Sequence, residues 1–131
     1  MNQPQDASAI MLKILIVDDS PTQLYSLRKI VEQGGHQAVT VESGEEALEI
    51  AADEHPNVIL MDIVMPGMSG YQAKRRLGKI NETCHIPVIF VSTKSGEADR
   101  CWGLRLGATE YITKPVNPTA LLTAISEAIA A

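Results

Sequence analysis

The sequence predicts a single α/β domain in which five strands alternate with five helices. Three short apolar runs end in polar or turn residues, which is typical of strands buried on both faces of a sheet. The stretches between them carry apolar residues at helical spacing. Strands are predicted at residues 13–17, 37–41, 58–61, 86–91 and in the run ending Tyr111-Ile112-Thr113. This alternation predicts a doubly wound (βα)5 domain with an all-parallel sheet and right-handed crossovers.

The first strand is followed by Ser20-Pro21-Thr22-Gln23, which has the residue order of a helix start. Serine at the N-cap, proline at the first helical position and glutamine at N3 indicate a capping box. Helical spacing from Leu24 to Val31 continues until Gly34-Gly35 ends the helix. Residues 37–41 then alternate in polarity, which indicates a strand at a wetter edge of the sheet.

The second helix is predicted to open with another capping box, Ser43-Gly44-Glu45-Glu46, and to end near Pro56. The third strand runs directly into Asp62 and a loop through Pro66-Gly67. Ser69-Gly70-Tyr71-Gln72 then caps the third helix.

Pro87 sits at the start of the fourth strand, where a missing N–H is tolerated. Ser95 is predicted to open the fourth helix, which ends at Gly107, and Asn117-Pro118 begins the last helix. In that helix we expect four aliphatic side chains to face the core: Leu121, Leu122, Ile125 and Ile129.

The composition is that of one globular domain. The chain has 131 residues, of which 45% are hydrophobic and 21% charged, and is long enough to bury a core without disulfides. Its net charge of −5 argues against nucleic-acid binding, which requires a basic surface. The basic cluster within residues 74–79 lacks interleaved aromatics and is interpreted as a solvated helix face. Cys84 and Cys101 are interpreted as reduced thiols.

Residues 1–11 are predicted to be a disordered lead, and residues 12–131 the folded domain. The lead has neither the basic nor the long apolar region of a signal peptide. No apolar run approaches the ~20 residues that a membrane span needs. We therefore expect a cytoplasmic protein without membrane insertion.

Polar side chains follow the predicted strands at one edge of the sheet. Asp18 and Asp19 follow the first strand, Asp62 the third, Ser92 the fourth and Lys114 the fifth. The carboxyl ends of parallel strands meet at the same edge, where open α/β sheets place their ligand crevice. We therefore expect these side chains to form one site.

Three carboxylates within ~4 Å of one another repel strongly, so that one is protonated or a cation binds among them. All-oxygen ligands suit Mg²⁺, which binds one or two carboxylates together with a phosphate oxygen. A lysine and a serine hydroxyl can stabilise phosphoryl oxygens, and an aspartate can accept a phosphoryl group covalently. The pattern therefore predicts a Mg²⁺-dependent phosphoryl-accepting site.

The chain resembles the CheY-like receiver domains of two-component response regulators over about residues 12–130. An Asp-Asp pair or a Lys-Pro pair alone is weak evidence, whereas four motifs in order at successive strand ends are highly specific. These motifs are Ile16-Val17-Asp18-Asp19-Ser20, Leu60-Met61-Asp62-Ile63-Val64-Met65-Pro66-Gly67-Met68-Ser69-Gly70, Val91-Ser92-Thr93 and Tyr111-Ile112-Thr113-Lys114-Pro115.

The resemblance implies that Asp62 is the phosphoacceptor, receiving its phosphoryl group from a histidine kinase. It implies that Asp19 and Asp62 ligate Mg²⁺ directly and that the Val64 backbone carbonyl is a third protein ligand. Asp18 would act mainly through water. The family's sheet order is 2-1-3-4-5, as in flavodoxin-like folds, which places strands one and three beside the acids.

The resemblance also implies a switch. Ser92 is the switch hydroxyl that turns toward the phosphoryl group, and Lys114 pairs with a phosphoryl oxygen beside a cis bond to Pro115. Tyr111 is the switch aromatic, which reports to a downstream protein on the surface of helix four, strand five and helix five.

Within the family, the chain most resembles single-domain PilH-type regulators of twitching motility. The stretch Leu60 to Leu77 carries this likeness, with Trp102-Gly103, Gly107-Ala108 and Thr113-Lys114-Pro115-Val116. It implies a stand-alone regulator in chemotaxis-like or type IV pilus motility signalling, which we expect to be a monomer or a weak dimer.

Two departures from the commonest family pattern concern access to Asp62. Thr93 stands where a small residue is usual, so we expect a narrower entrance. Val64 and Lys94 occupy the two positions that flank the path of the attacking water in this family. Because an apolar side chain cannot orient a water, we predict that Val64 slows loss of the phosphoryl group.

Other classes of protein fit less well. A Mg²⁺-dependent phosphohydrolase commonly has a second aspartate two residues after its nucleophile, where this chain has Val64. A flavodoxin-like nucleotide or flavin module would need a phosphate loop after strand one, where Asp18-Asp19 would repel a phosphate. A DNA-binding regulator is disfavoured because no helix-turn-helix segment follows the fifth helix.

Structural interpretations stay open for several of these residues. Asp18 and Asp19 could cap the first helix, Ser92 could satisfy a backbone group, and Tyr111 could be a core residue. For Trp102 we expect a packed helix face rather than a partner contact. The neutral outer surface of the last helix fits either a binding surface or an alanine-rich helix end.

Overall fold

The computed structural model of the protein describes residues 10–130. The predicted lead over residues 1–11 lies outside them except for Ile10 and Met11. The strands are β1 (Lys13–Val17), β2 (Gln37–Val41), β3 (Val58–Met61), β4 (Val88–Ser92) and β5 (Glu110–Thr113). The helices are α1 (Pro21–Gln33), α2 (Gly44–Glu54), α3 (Gly70–Leu77), α4 (Glu97–Arg105) and α5 (Pro118–Ala130). Between residues 10 and 130, no helix has the length and apolar character needed to span a membrane.

The five strands form one parallel sheet in the order β2-β1-β3-β4-β5, which confirms the predicted topology. Val17 pairs with Met61 across β1 and β3, so that Asp18 and Asp62 leave adjacent strands at the same level. Farther along the sheet, Ser92 at the end of β4 pairs with Thr113 at the end of β5. The register therefore brings all the polar strand ends to one edge of the sheet.

Helices cover both faces of the sheet because side chains of successive strand residues point to opposite faces. On one face, the buried side chains of α1 and α5 pack against those of β1, β3 and β4. On the other face, α2 and α3 use small residues, Ala47, Ala51 and Ala73, to lie close to the sheet. The two cores hold the strand ends in fixed positions under the site.

The helix starts differ in detail from the predicted capping boxes. Ser20, Ser43 and Ser69 each accept a hydrogen bond from the backbone N–H three residues on, as predicted. The reciprocal bond of a capping box is made only in α3, among the described residues. In α2 the Glu46 carboxylate instead accepts from the Glu42 N–H, one residue before the cap.

Three element predictions need correction. Helix α4 begins at Glu97 after Gly96 as N-cap, without a side-chain cap, so Ser95 does not open it. Strand β4 begins at Val88, after the Pro87 that lacks an N–H. In α5, Ile129 is 41% exposed. The buried residues of that helix recur at i, i+3, i+4 and i+7, which places Ile129 on the next face: Leu121, Ala124, Ile125 and Ala128.

The prediction that α4 packs a face containing Trp102 against the core is also wrong. Trp102 is 44% exposed, and Gly103 is the only buried residue of this helix. A Cβ at Gly103 would lie 3.0 Å from ring atoms of both Phe90 and Tyr111. The helix backbone therefore approaches the sheet through a glycine, and its larger apolar side chains point away from the core.

Candidate functional site

Three carboxylates converge where β1 and β3 end. One oxygen from each of Asp18, Asp19 and Asp62 lies within 4.8 Å of the others. Asp18 is only 1% exposed, and its Oδ1 accepts a hydrogen bond of 2.9 Å from the Ser20 N–H. The Asp62 side chain is 12% exposed, and its Oδ1 accepts from the Ile63 N–H at 2.8 Å. Asp19 is exposed. The structure thus forms the predicted acid cluster.

Lys114 places its ammonium group beside two of these carboxylates. Its Nζ lies 2.7 Å from Asp18 Oδ2 and 3.7 Å from Asp62 Oδ2. The first distance is a charge-assisted hydrogen bond and the second is too long for one. The predicted cis peptide bond between Lys114 and Pro115 is present.

The donor set fits Mg²⁺. With its carboxylates ionised, the site carries three negative charges against the one positive charge of Lys114, which leaves room for a divalent cation. All its ligand atoms are oxygens, which a hard cation prefers.

Burial raises the pKa of Asp62 above its usual value, and the charges of Asp18 and Asp19 act in the same direction. Lys114 and the hydrogen bond from the Ile63 N–H oppose this effect. Without a cation, the folded protein therefore holds Asp62 in an environment that disfavours its charged form.

We expect Asp62→Asn to unfold less easily than the wild type at neutral pH in EDTA. A carboxyl group with a raised folded-state pKa reduces stability as the pH rises through the range between its unfolded and folded values. The stability gain in the variant should appear above about pH 4 and level off above the raised pKa, at on the order of 1 kcal/mol. Urea denaturation at several pH values measures it.

The matched control is Asp53→Asn, which changes an exposed carboxylate on α2. It should leave the free energy of unfolding unchanged at every pH. If Asp62→Asn is no more stable than the wild type at pH 7, burial and the neighbouring carboxylates do not make the charged form of Asp62 unfavourable in the folded protein.

Ser92 is the last residue of β4, and Tyr111 lies on the neighbouring strand β5. Ser92 is fully buried, and its Oγ accepts a 3.2 Å hydrogen bond from the Lys94 N–H. The Tyr111 ring is buried, and its hydroxyl donates to the Lys94 carbonyl at 2.7 Å. Burial raises the pKa of Tyr111, while the Ser92 hydroxyl acts in the opposite direction. Both predicted switch residues therefore meet at the segment that leads to α4.

The loops around the site contain the remaining predicted residues. Val64 is exposed on the loop after β3, and its role as a carbonyl ligand stays a prediction. Thr93 is also exposed and lines a groove of about 430 Å³ between α1 and the β5–α5 loop. These positions do not test the prediction that Thr93 narrows the entrance to Asp62.

Sequence reasoning missed two residues that support the site. Gly70 packs so tightly that a Cβ there would lie 2.1 Å from the Asp62 carbonyl oxygen. Tyr71, the next residue, donates from its hydroxyl to the Asp99 carbonyl on α4 at 3.3 Å. The motif containing Gly70 could have indicated the first, but the sequence carries no signal for the second.

The fold and the acid cluster together define a receiver-type domain. The family model described as the response regulator receiver domain matches residues 14–126, so the chain belongs to this family. Receiver domains are signalling proteins, and accepting a phosphoryl group is typical of the family.

Individual relatives agree with this assignment. The chain is 51% identical to Protein PilH of Pseudomonas aeruginosa over 120 residues, covering 92% of this chain and 99% of the relative. It is 36% identical to Protein PilG of the same organism, covering 87% of this chain and 84% of that one. The chemotaxis protein CheY4 of Vibrio cholerae has a similar structure, with a TM-score of 0.84 at 28% identity over 91% of this chain and 99% of that one.

Proposed function

We propose that the protein is a stand-alone phosphorylation switch in which Asp62 accepts a phosphoryl group from a histidine kinase. The observation that carries this proposal is the position of Lys114, whose Nζ lies within 4 Å of both Asp18 and Asp62 in a cluster of three acids. A lysine ammonium group and a surplus of carboxylate oxygens are what a phosphoryl group and a divalent metal require together.

Asp62 Oδ2 is the oxygen best placed to react. Oδ1 is occupied by the Ile63 N–H, whereas Oδ2 faces the Lys114 ammonium group at 3.7 Å. Attack by Oδ2 on the phosphorus of a phosphohistidine would form the P–O bond as the P–N bond breaks, and the imidazole would leave and take up a proton. Lys114 would then turn from Asp18 toward a phosphoryl oxygen.

The ligands proposed for Mg²⁺ are Asp19, Asp62 and the Val64 carbonyl, with Asp18 acting through water. When bound, the ion would neutralise charge on the transferring group. Asp18 is hydrogen-bonded on both oxygens, by Ser20 N–H and by Lys114, which supports an indirect role.

The proposed output surface comprises α4, β5 and α5. Its α4 part is an open groove of about 610 Å³, lined by Ala98, Cys101, Trp102, Leu104 and Arg105. An exposed tryptophan beside aliphatic groups is a frequent anchor for a protein partner. Tyr111 links this surface to the site through Lys94.

We further propose a cytoplasmic role in chemotaxis-like or type IV pilus motility signalling, as a monomer or weak dimer. The likeness to Protein PilH over nearly its whole length supports the motility assignment. The chemotaxis protein CheY4 supports a chemotaxis-like mode of action.

Intact mass spectrometry after incubation with acetyl phosphate and Mg²⁺ tests the proposed function. The wild type should gain one phosphoryl group, and the gain should disappear with EDTA and in Asp62→Asn. Asp53→Asn should behave as the wild type. A folded wild type that gains no phosphoryl group, even at the earliest time points, would contradict the proposal.

Val64→Asn is expected to speed the loss of the phosphoryl group severalfold. Val64 is exposed beside Asp62, and an amide there can orient a water that the isopropyl group cannot. The decay of the adduct after removal of acetyl phosphate measures the rate. An unchanged or lower rate would show that Val64 does not protect the phosphoryl group.

A further inference from the structure

Helix α4 is attached to the domain by few apolar contacts. Gly103 is its only buried residue, and its N-cap, Gly96, makes no side-chain hydrogen bond. Arg100 of α4 makes a polar contact with β5, because its Nη1 donates to the Tyr111 carbonyl at 3.0 Å. A helix held in this way can shift at low cost if its polar attachments change.

Two tyrosine hydroxyls hold the start of this helix from different elements. Tyr111, on β5, donates to the Lys94 carbonyl at 2.7 Å. Tyr71, on α3, donates to the Asp99 carbonyl at 3.3 Å. Lys94 Nζ also lies 3.9 Å from Asp99 Oδ1, so the two attachment points are themselves linked. Ser92 lies two residues before the first attachment point, and its Oγ accepts a hydrogen bond from the Lys94 N–H.

The Tyr71 ring connects the sheet to the exposed face of α4. Its edge-to-face contacts have ring centroid distances of 5.5 Å to Phe90 and 6.4 Å to Trp102. Burial raises the pKa of Tyr71, with Tyr111 and Asp99 acting in the same direction, so its hydroxyl stays protonated and able to donate. Tyr71 is thus the side chain that joins α3, the core and the α4 groove.

We propose that Tyr71 is a second switch aromatic, whose hydroxyl holds α4 in the arrangement seen here and releases it when Asp62 is phosphorylated. The proposal rests on the proposed function of Asp62. If Ser92 turns toward a phosphoryl oxygen, its Oγ moves relative to the Lys94 N–H that it accepts from, and Tyr111 and Asp99, which both contact Lys94, would transmit this movement to the first turn of α4. At 3.3 Å the Tyr71–Asp99 bond is longer than the 2.7 Å Tyr111–Lys94 bond, so it is the tyrosine hydrogen bond that opens more easily.

Tyr71→Phe removes the hydroxyl and keeps the ring contacts. Because it weakens only the arrangement seen here, it should favour the phosphorylated arrangement by linkage. Beryllofluoride with Mg²⁺ serves as a stable stand-in for the phosphoryl group. We expect it to bind Tyr71→Phe about two- to tenfold more tightly than the wild type, the range that one hydrogen bond supplies.

The affinity is measured from the ¹⁹F NMR signal of protein-bound beryllofluoride, and the fluorescence of Trp102, the only tryptophan, reports on α4. Fluorescence of free Tyr71→Phe should lie between that of the free and the beryllofluoride-bound wild type. Tyr25→Phe, in the exposed ring on α1, is the matched control and should bind as the wild type does.

The outcomes separate the two proposals. If the wild type binds beryllofluoride but Tyr71→Phe binds it equally or more weakly, Tyr71 is a structural residue and its proposed role as a switch aromatic is wrong. This holds whatever the thermal stability of the variant. If the wild type shows no bound beryllofluoride while remaining folded, the proposed function of Asp62 is wrong, and the proposed switch role of Tyr71 is wrong as well.

Discussion

Lys114→Met is expected to lower the free energy of unfolding by about 3–5 kcal/mol at neutral pH without Mg²⁺. The substitution leaves Asp18, which is 1% exposed, as a buried charge without its 2.7 Å partner, next to two further carboxylates. Urea denaturation in EDTA measures the loss. Mg²⁺ should restore part of the stability, because it supplies the missing positive charge.

The control for this experiment is Lys13→Met, which breaks a pair with Glu54 at a similar distance of 2.9 Å. Both of those side chains are substantially exposed, so the cost should stay below about 1 kcal/mol. Equal losses in the two variants would show that the buried Lys114–Asp18 pair contributes no more to stability than the exposed Lys13–Glu54 pair.

Gly70→Ala is expected to destabilise the domain by about 3 kcal/mol, the upper end of the range for overpacking, and to abolish most phosphorylation. Its Cβ would lie 2.1 Å from the Asp62 carbonyl oxygen and 2.9 Å from Ile63 Cα. Both are backbone atoms, so the chain carrying Asp62 must move. The Gly70 N–H also donates to the Ile63 carbonyl at 2.8 Å, which ties the start of α3 to the same loop.

Gly78→Ala, at the other end of α3, provides the comparison. The nearest atom to its Cβ would be the Arg75 carbonyl oxygen at 3.5 Å, an ordinary contact. We expect a change within about 0.5 kcal/mol and normal phosphorylation. If Gly70→Ala were equally harmless, the close approach of α3 to Asp62 would not be what positions the acid.

The sheet and the acid cluster could be predicted from the sequence because both depend on local patterns. Apolar runs ending in polar residues define buried strands, and parallel pairing brings their carboxyl ends together. In the structure Val17 pairs with Met61, and this pairing places Asp18 beside Asp62. Parallel pairing of the two predicted strands is enough to account for it. The three acids do lie within 4.8 Å, as the cluster prediction requires.

Features that depend on how helices pack could not be predicted. Trp102 resembles a core residue in the sequence, but the close approach of Gly103 to the sheet turns it outward. The partner of Lys114 also depends on three-dimensional distances. Its Nζ lies 2.7 Å from Asp18 and 3.7 Å from Asp62, a difference of 1.0 Å that the sequence does not show. The bond from Tyr71 to Asp99 joins residues 28 apart in sequence and has no local signature.

Reductive trapping locates the phosphoryl group directly. Borohydride reduces an aspartyl phosphate to homoserine, which peptide sequencing by mass spectrometry can identify at a single position. After treatment with acetyl phosphate and Mg²⁺, we expect homoserine at Asp62 alone. Homoserine at Asp18 or Asp19 instead, or a stable phosphate on Ser92 with Asp62 unmodified, would contradict the assignment of Asp62 as the acceptor.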